Sequence, residues 1–179
     1  MLKISPQHGF SLVELMIAIV ITAILLTAAM PSFNAWIQNS RIRTTAELLQ
    51  NDLQLARVEA VRRNQSVVFS LGAATNSWIV AASAVGGTNE LIQSKPSAEG
   101  SANVTLTVTP ANAVSATFDG LGRIIANADG TPTLTQVVTA VPTSILPASE
   151  MRVLTIKIST GGKIQTCDPF FSAPDPRAC

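Results

Sequence analysis

Tyrosine is absent from this 179-residue chain and histidine occurs once. That one imidazole, His8, stands ahead of a long apolar run, so Ser-His or Cys-His catalysis would need a histidine that the folded part lacks. Cysteine is nearly absent as well. Cys167 and Cys179 both fall in the last 13 residues, too few for a zinc site and wrongly spaced for a CxxC redox pair. Their natural reading is a disulfide in an exported protein. Charge is scarce: 13% of residues are charged, against about 25% in an ordinary globular domain, and 12 Lys plus Arg against 11 Asp plus Glu leave +1. A strongly basic nucleic-acid binder and an acidic disordered tail are both excluded as descriptions of the whole chain. A phosphate-cradling Walker loop fails too, because Ile164 follows Gly162-Lys163 where Ser or Thr is needed, and Lys157 stands where the first Gly belongs. No acid, base, nucleophile or metal-ligand set converges, so the chain reads as a non-enzyme with no metal and no cofactor.

What is abundant is apolar. Hydrophobic residues make up 47% of the chain and mean hydropathy is +0.36. The excess concentrates in Phe10 to Met30, FSLVELMIAIVITAILLTAAM, which carries one charge. As a helix this segment would be about 31 Å long, the thickness of a bilayer's hydrocarbon core. The pattern predicts a membrane-spanning helix. The short stretch before it holds Lys3 and no acid, which favours a cytoplasmic N-terminus and export of everything after residue 30.

Glu14 does not fit an ordinary anchor. A carboxylate at the centre of a spanning helix costs about 2.5 to 3.5 kcal/mol and by default marks a functional site with a partner. The partner must be a cation, and none lies nearby in sequence. Cleavage after Gly9 would create one, the α-amine of Phe10, supplied to Glu14 by a neighbouring copy or related chain. The competing reading has Glu14 snorkelling to the headgroups.

Gly9-Phe10-Ser11-Leu12-Val13-Glu14 and the apolar run behind it resemble the class III leader and N-terminal helix of type IV pilins and type II secretion pseudopilins. The resemblance implies cleavage after Gly9 by a prepilin peptidase, N-methylation of the Phe10 amine, and docking into a growing filament guided by Glu14. It also places Pro31 at the position where such helices are kinked or loosened. A conventional signal peptide cut after Leu26-Thr27-Ala28 is the alternative, but its apolar stretch is overlong and Glu14 stays unexplained.

Beyond Pro31 the helical pattern resumes. Ile42, Ala46, Leu49, Leu53, Ala56 and Ala60 alternate spacings of four and three, which predicts one buried stripe and a helix from Phe10 to Arg63 interrupted at Pro31. Asn64 is the expected C-terminal stop. On the other side, Asp52 with Arg57 and Glu59 with Arg63 allow partial local pairing. From residue 65 the period becomes two. Strands are expected at 66–71, 77–83, 90–93, 104–109, 114–118, 123–126, 133–139, 152–159 and 163–167. They are separated by Gly86-Gly87, Asp119-Gly120, Asp129-Gly130 and Gly161-Gly162. The fold class is therefore α+β, a long N-terminal helix backing an antiparallel β head. The segments are a leader 1–9, a transmembrane helix 10–30, an amphipathic helix 31–63 and a head 64–179.

Leu49-x-x-Asp52-Leu53-Gln54-Leu55-Ala56-Arg57, then Phe118-Asp119-Gly120-x-Gly122-Arg123, then Gly162-Lys163 shortly before Cys167-Asp168-Pro169, are similar to minor pilins of the GspH/FimT type. That resemblance implies a two-sheet head and a minor pilin that primes or caps a type IV pilus, with a type II secretion minor pseudopilin as the alternative. It implies as partners the prepilin peptidase, other minor and major pilins, an inner-membrane assembly platform, and membrane lipids before assembly. The location would be the bacterial inner membrane, single pass with the head outside the cytoplasm, then a surface pilus or periplasmic pseudopilus. DNA-capturing members carry Gly-Arg-x-Arg where this chain has Gly162-Lys163-Ile164-Gln165. The head has six basic against seven acidic residues, so DNA contact through Lys163, Arg152, Lys157 and Arg177 is expected to be weak. Phe170 and Phe171, between the cysteines, are expected to pack under their loop.

Overall fold

The change of period at residue 65 is a change of architecture. The computed structural model describes residues 9–72, 76–83, 89–97 and 102–179. Lys3, His8 and the rest of the leader before Gly9, and the Gly86-Gly87 turn, lie outside the described residues. The helix α1 (Leu12–Arg63) is followed by strands only: β1 (Val67–Leu71), β2 (Trp78–Ala82), β3 (Glu90–Lys95), β4 (Thr105–Thr109), β5 (Ser115–Phe118), β6 (Ile124–Ile125), β7 (Gln136–Ala140), β8 (Leu154–Ile158) and β9 (Ile164–Cys167). By contacts the chain divides at Trp36/Ile37.

In the N-terminal unit every large apolar side chain from Leu12 to Met30 is more than half exposed. The hydroxyls among them are satisfied internally: Thr22 Oγ1 donates to the Ala18 carbonyl at 2.7 Å and Thr27 Oγ1 to Ile24 at 2.8 Å. α1 runs on through Pro31. No single helical segment is long and apolar enough to cross a membrane by itself, while Leu12–Thr27 and Ser32–Arg63 pass that test together, by length and composition, across the residues around Pro31.

The second unit, Ile37–Cys179, holds the core. The predicted stripe is its helical wall: Ile42, Ala46, Leu49, Leu53, Ala56 and Ala60 are fully buried. The wall ends at Asn64, which takes a left-handed φ of 51°. The Gln65 N–H reaches back to the Ala60 carbonyl at 3.2 Å and the Asn64 N–H to Val61 at 3.3 Å, a Schellman cap. Asn tolerates that φ better than a β-branched residue would.

Two antiparallel sheets face this wall, one in the order β3-β2-β1-β5-β6 and the other β4-β7-β8-β9. Alternation decides what each strand buries. In the first sheet Phe69 pairs with Val80 and Ala116, and Val67 with Ala82 and Phe118, all on the buried side. In the second, Val137 opposite Ile156 does the same. The sheets meet where the Ile124 N–H bonds the Thr160 carbonyl at 3.1 Å and the Leu134 N–H bonds Ser115 at 2.8 Å. Strand ends differ from expectation by one to three residues. The largest shift, at β7, arises because Thr133 leaves the ladder to form an isolated parallel bridge with Ser115.

Candidate functional site

Two regions hold the residues singled out in the sequence. At the N-terminus Gly9 is open, with nothing within 4 Å of where a Cβ would be, and Phe10 beside it is 87% exposed. A protease would meet no packed neighbour there among the described residues. Glu14 lies in the first turn of α1, where a carboxylate favourably faces the positive end of the helix dipole. No ion pair among the described residues involves Glu14.

At the other end of the helix a double turn locks the head to α1. The Asp119 carboxylate accepts from the backbone N–H groups of Leu121 (3.0 Å) and Arg123 (2.8 Å) and from the Arg123 guanidinium, closing the first turn. Those bonds, the Arg123 N–H above all, hold its carboxyl below the ordinary aspartate range. The second turn closes through Gly162 N–H to the Ser159 carbonyl at 2.8 Å and Lys163 N–H to Ser159 Oγ at 3.1 Å. The Arg57 Nε–H donates to the Gly122 carbonyl at 3.1 Å, and the turn at Gly162 packs against that same carbonyl. Asp52 is not paired with Arg57 as its spacing suggested. Its carboxylate instead accepts from the Trp78 indole N–H at 2.6 Å, because Trp78 is buried and must place its donor. Glu59 does pair with Arg63, and with Arg62; Arg63 continues to Glu90 on β3.

Further ties fix the helix to the second sheet and its loops. The Asn39 amide donates to the Glu150 carbonyl at 2.9 Å and accepts from the Arg152 N–H at 2.8 Å, and Thr166 Oγ1 donates to Gln50 at 2.7 Å. Sequence reasoning missed these, since each joins residues more than 100 positions apart and no local pattern announces them.

Cys167 and Cys179 form a disulfide. Phe171 lies under the Arg177 guanidinium, 3.8 Å from its ring centre, but Phe170 is 67% exposed, so the expectation that both phenylalanines pack under the loop holds only for the first. The turn set by Asp168, whose Oδ1 accepts from the Phe170 N–H, carries Phe170 outward. Two of the four cations considered for DNA are engaged within the head. Lys157 donates to the Cys179 carbonyl at 2.7 Å and Arg177 pairs with Asp175. Arg152 and Lys163 are exposed and form no ion pair with the described residues. No cluster of three His, Cys, Asp or Glu that could hold a metal ion occurs among the described residues.

Comparison with known proteins bears on both regions. A family model described as "Type II transport protein GspH" matches residues 45–162, and one described as "Prokaryotic N-terminal methylation motif" matches residues 4–30. Among solved structures the chain is similar to the type IV minor pilin FimU of Pseudomonas aeruginosa strain PAO1 in two crystal forms. The P21 form gives a TM-score of 0.50 at 21% identity over 69% of this chain and 86% of that one. The P65 form gives 0.47 at 20% identity over 69% and 90%. No curated protein matches the chain significantly.

Proposed function

Because this chain belongs to the GspH family, we propose that it is a minor pilin, a structural subunit that joins a type IV pilus after cleavage between Gly9 and Phe10 and helps to prime or cap the filament. The observation that carries this reading is the methylation motif over residues 4–30. It coincides with an open Gly9, an acid in the first helical turn, and large apolar side chains that are all more than half exposed from Leu12 to Met30. Such a surface needs lipid before assembly and other helices after it.

The mechanics follow from charge. In the bilayer Glu14 is costly to leave unpaired. Removal of residues 1–9 by the prepilin peptidase frees the Phe10 amine, and the amine of one subunit meets Glu14 of the next as the helices bundle. N-methylation leaves that amine basic. Pro31 marks the boundary between the bundled segment 10–30 and the helix 31–63 that backs the head 64–179. The head stays outside the cytoplasm, where the Cys167–Cys179 bond is stable.

The family's description favours a second reading, a minor pseudopilin of a type II secretion system, built by the same steps but acting in the periplasm. DNA capture is not favoured, since Lys157 and Arg177 are already spent on internal partners. The test is Glu14→Ala in the native host. Membrane insertion is expected to persist while recovery in sheared filaments falls at least tenfold. Incorporation at the unsubstituted level would contradict the charge-pairing role.

A further inference from the structure

The apolar run ends at Met30, but the apolar surface of the N-terminal unit does not. One helical turn beyond, Phe33 and Trp36 stack on each other with ring centres 6.0 Å apart and planes 24° from parallel. They are 61% and 66% exposed. Roughly two thirds of each side chain faces outward, so the pair continues the apolar surface past Met30. The chain's other tryptophan, Trp78, is 1% exposed and its N–H is taken by Asp52. Trp36 is therefore the one indole of the chain left facing outward.

We propose that Phe33 and Trp36 form an interfacial anchor that seats the unassembled subunit in the headgroup layer of the outward-facing leaflet. This rests on the reading of Phe10 to Met30 as the membrane-embedded segment. At about 1.5 Å per residue, Phe33 and Trp36 lie roughly 4.5 and 9 Å beyond Met30 along the helix. The interfacial layer adds about 5 to 8 Å to each side of the hydrocarbon core. Side chains on a helix lean toward its N-terminus, which draws the Trp36 ring back over the preceding turn and into that layer. An indole suits the position because its ring is apolar and its N–H can reach water or a lipid carbonyl.

The surrounding sequence matches the same depth. Ser32, Asn34, Gln38, Asn39 and Ser40 are polar but uncharged, and between Glu14 and Arg41 no residue carries charge. The chain therefore passes from hydrocarbon to water through a graded band, with aromatics at its inner edge and its first cation at Arg41. A free aqueous helix would have no use for a stacked, outward aromatic pair there. The pair fixes how far the subunit is drawn into the membrane before filament entry.

The experiment uses the full chain carrying Trp78→Phe, reconstituted in phosphatidylcholine and phosphatidylglycerol vesicles, with flotation after alkaline wash scored first. Quenching of Trp36 emission is then compared between lipids spin-labelled at acyl position 5 and at position 16. The expected result is flotation, with quenching at least twofold stronger from position 5. Flotation with equal or deeper quenching, or with none, overturns the anchor while leaving the membrane reading intact. Failure to float overturns the membrane reading and the anchor with it. Should Trp78→Phe fail to fold, the unsubstituted chain and Trp36→Phe serve instead: the shallow quenching must disappear in Trp36→Phe, and its persistence overturns the proposal.

Discussion

The Arg57 Nε–H donates to the Gly122 backbone carbonyl at 3.1 Å, and a Cβ at residue 162 would collide with that same oxygen. Helix, first sheet and second sheet thus meet through one carbonyl group. Gly122 and Gly162 both adopt left-handed φ, 74° and 77°, which L side chains rarely take. The missing side chain at Gly162 lets its turn reach the Gly122 carbonyl, and a Cβ at Gly122 would press on Arg57 and Val61 of the helix at 3.1 Å.

Substitution at this contact separates local strain from lost packing. Gly130 has the same φ of 74° as Gly122 but nothing within 4 Å of a Cβ. Gly130→Ala is therefore expected to lose about 1 kcal/mol, the left-handed penalty alone. Gly162→Ala adds displacement of the Gly122 carbonyl and is expected to lose about 3 kcal/mol, the upper end for a strained backbone position. Urea denaturation of the two full-length variants in detergent checks this, and equal losses would contradict the lock.

Most of the architecture was legible because it rests on periodicity. The stripe from Ile42 to Ala60 is fully buried as its spacing required, and the strict alternation at 104–109 became β4. Asn64 ends the helix because its short amide side chain suits the left-handed conformation. The locks were not legible. Asp52 stands five residues from Arg57, yet each found a partner in the head, Trp78 on β2 and Gly122 in the turn between β5 and β6, because burial of an indole and of a carbonyl left polar groups that had to be satisfied. Such pairings appear only once strands are ordered, and strand order in two sheets is not a local property. At the N-terminus the reverse holds: the motif was plain in sequence, while no described residue forms an ion pair with Glu14.

Acid should loosen the helix end. Hydrogen bonds from Arg62 and Arg63 hold the Glu59 carboxyl down to about 2, against an ordinary 4.5. A carboxyl depressed in the folded state contributes stability that is fully present above its unfolded value and lost as pH falls through the folded one. Melting temperature is therefore expected to drop between about pH 4.5 and 2, with Asp119 and Asp175, also lowered by their arginine partners, adding to the slope. Glu59→Gln should flatten that slope. An unchanged slope in the variant would assign acid sensitivity elsewhere.

Reduction should loosen the second sheet's outer face. The Cys167–Cys179 bond spans 12 positions, for which restriction of the unfolded chain predicts about 3 kcal/mol of stabilisation. Treatment with reductant, or Cys167→Ser with Cys179→Ser, is expected to lower unfolding free energy by about that amount. It should also free Lys157, whose amine bonds the Cys179 carbonyl. Hydrogen exchange at β8 and β9 reads the local part of the change, and protection equal to that of the oxidised protein would contradict it.

Assembly through the N-terminal helix requires a mature chain that begins at Phe10. Intact mass and N-terminal sequencing of protein recovered from its native host should find a chain starting at Phe10 with a methylated amine, produced by cleavage after Gly9. A mature chain starting at Ala29 would mean that an ordinary signal peptide has been removed, Glu14 with it, and would contradict assembly through the N-terminal helix.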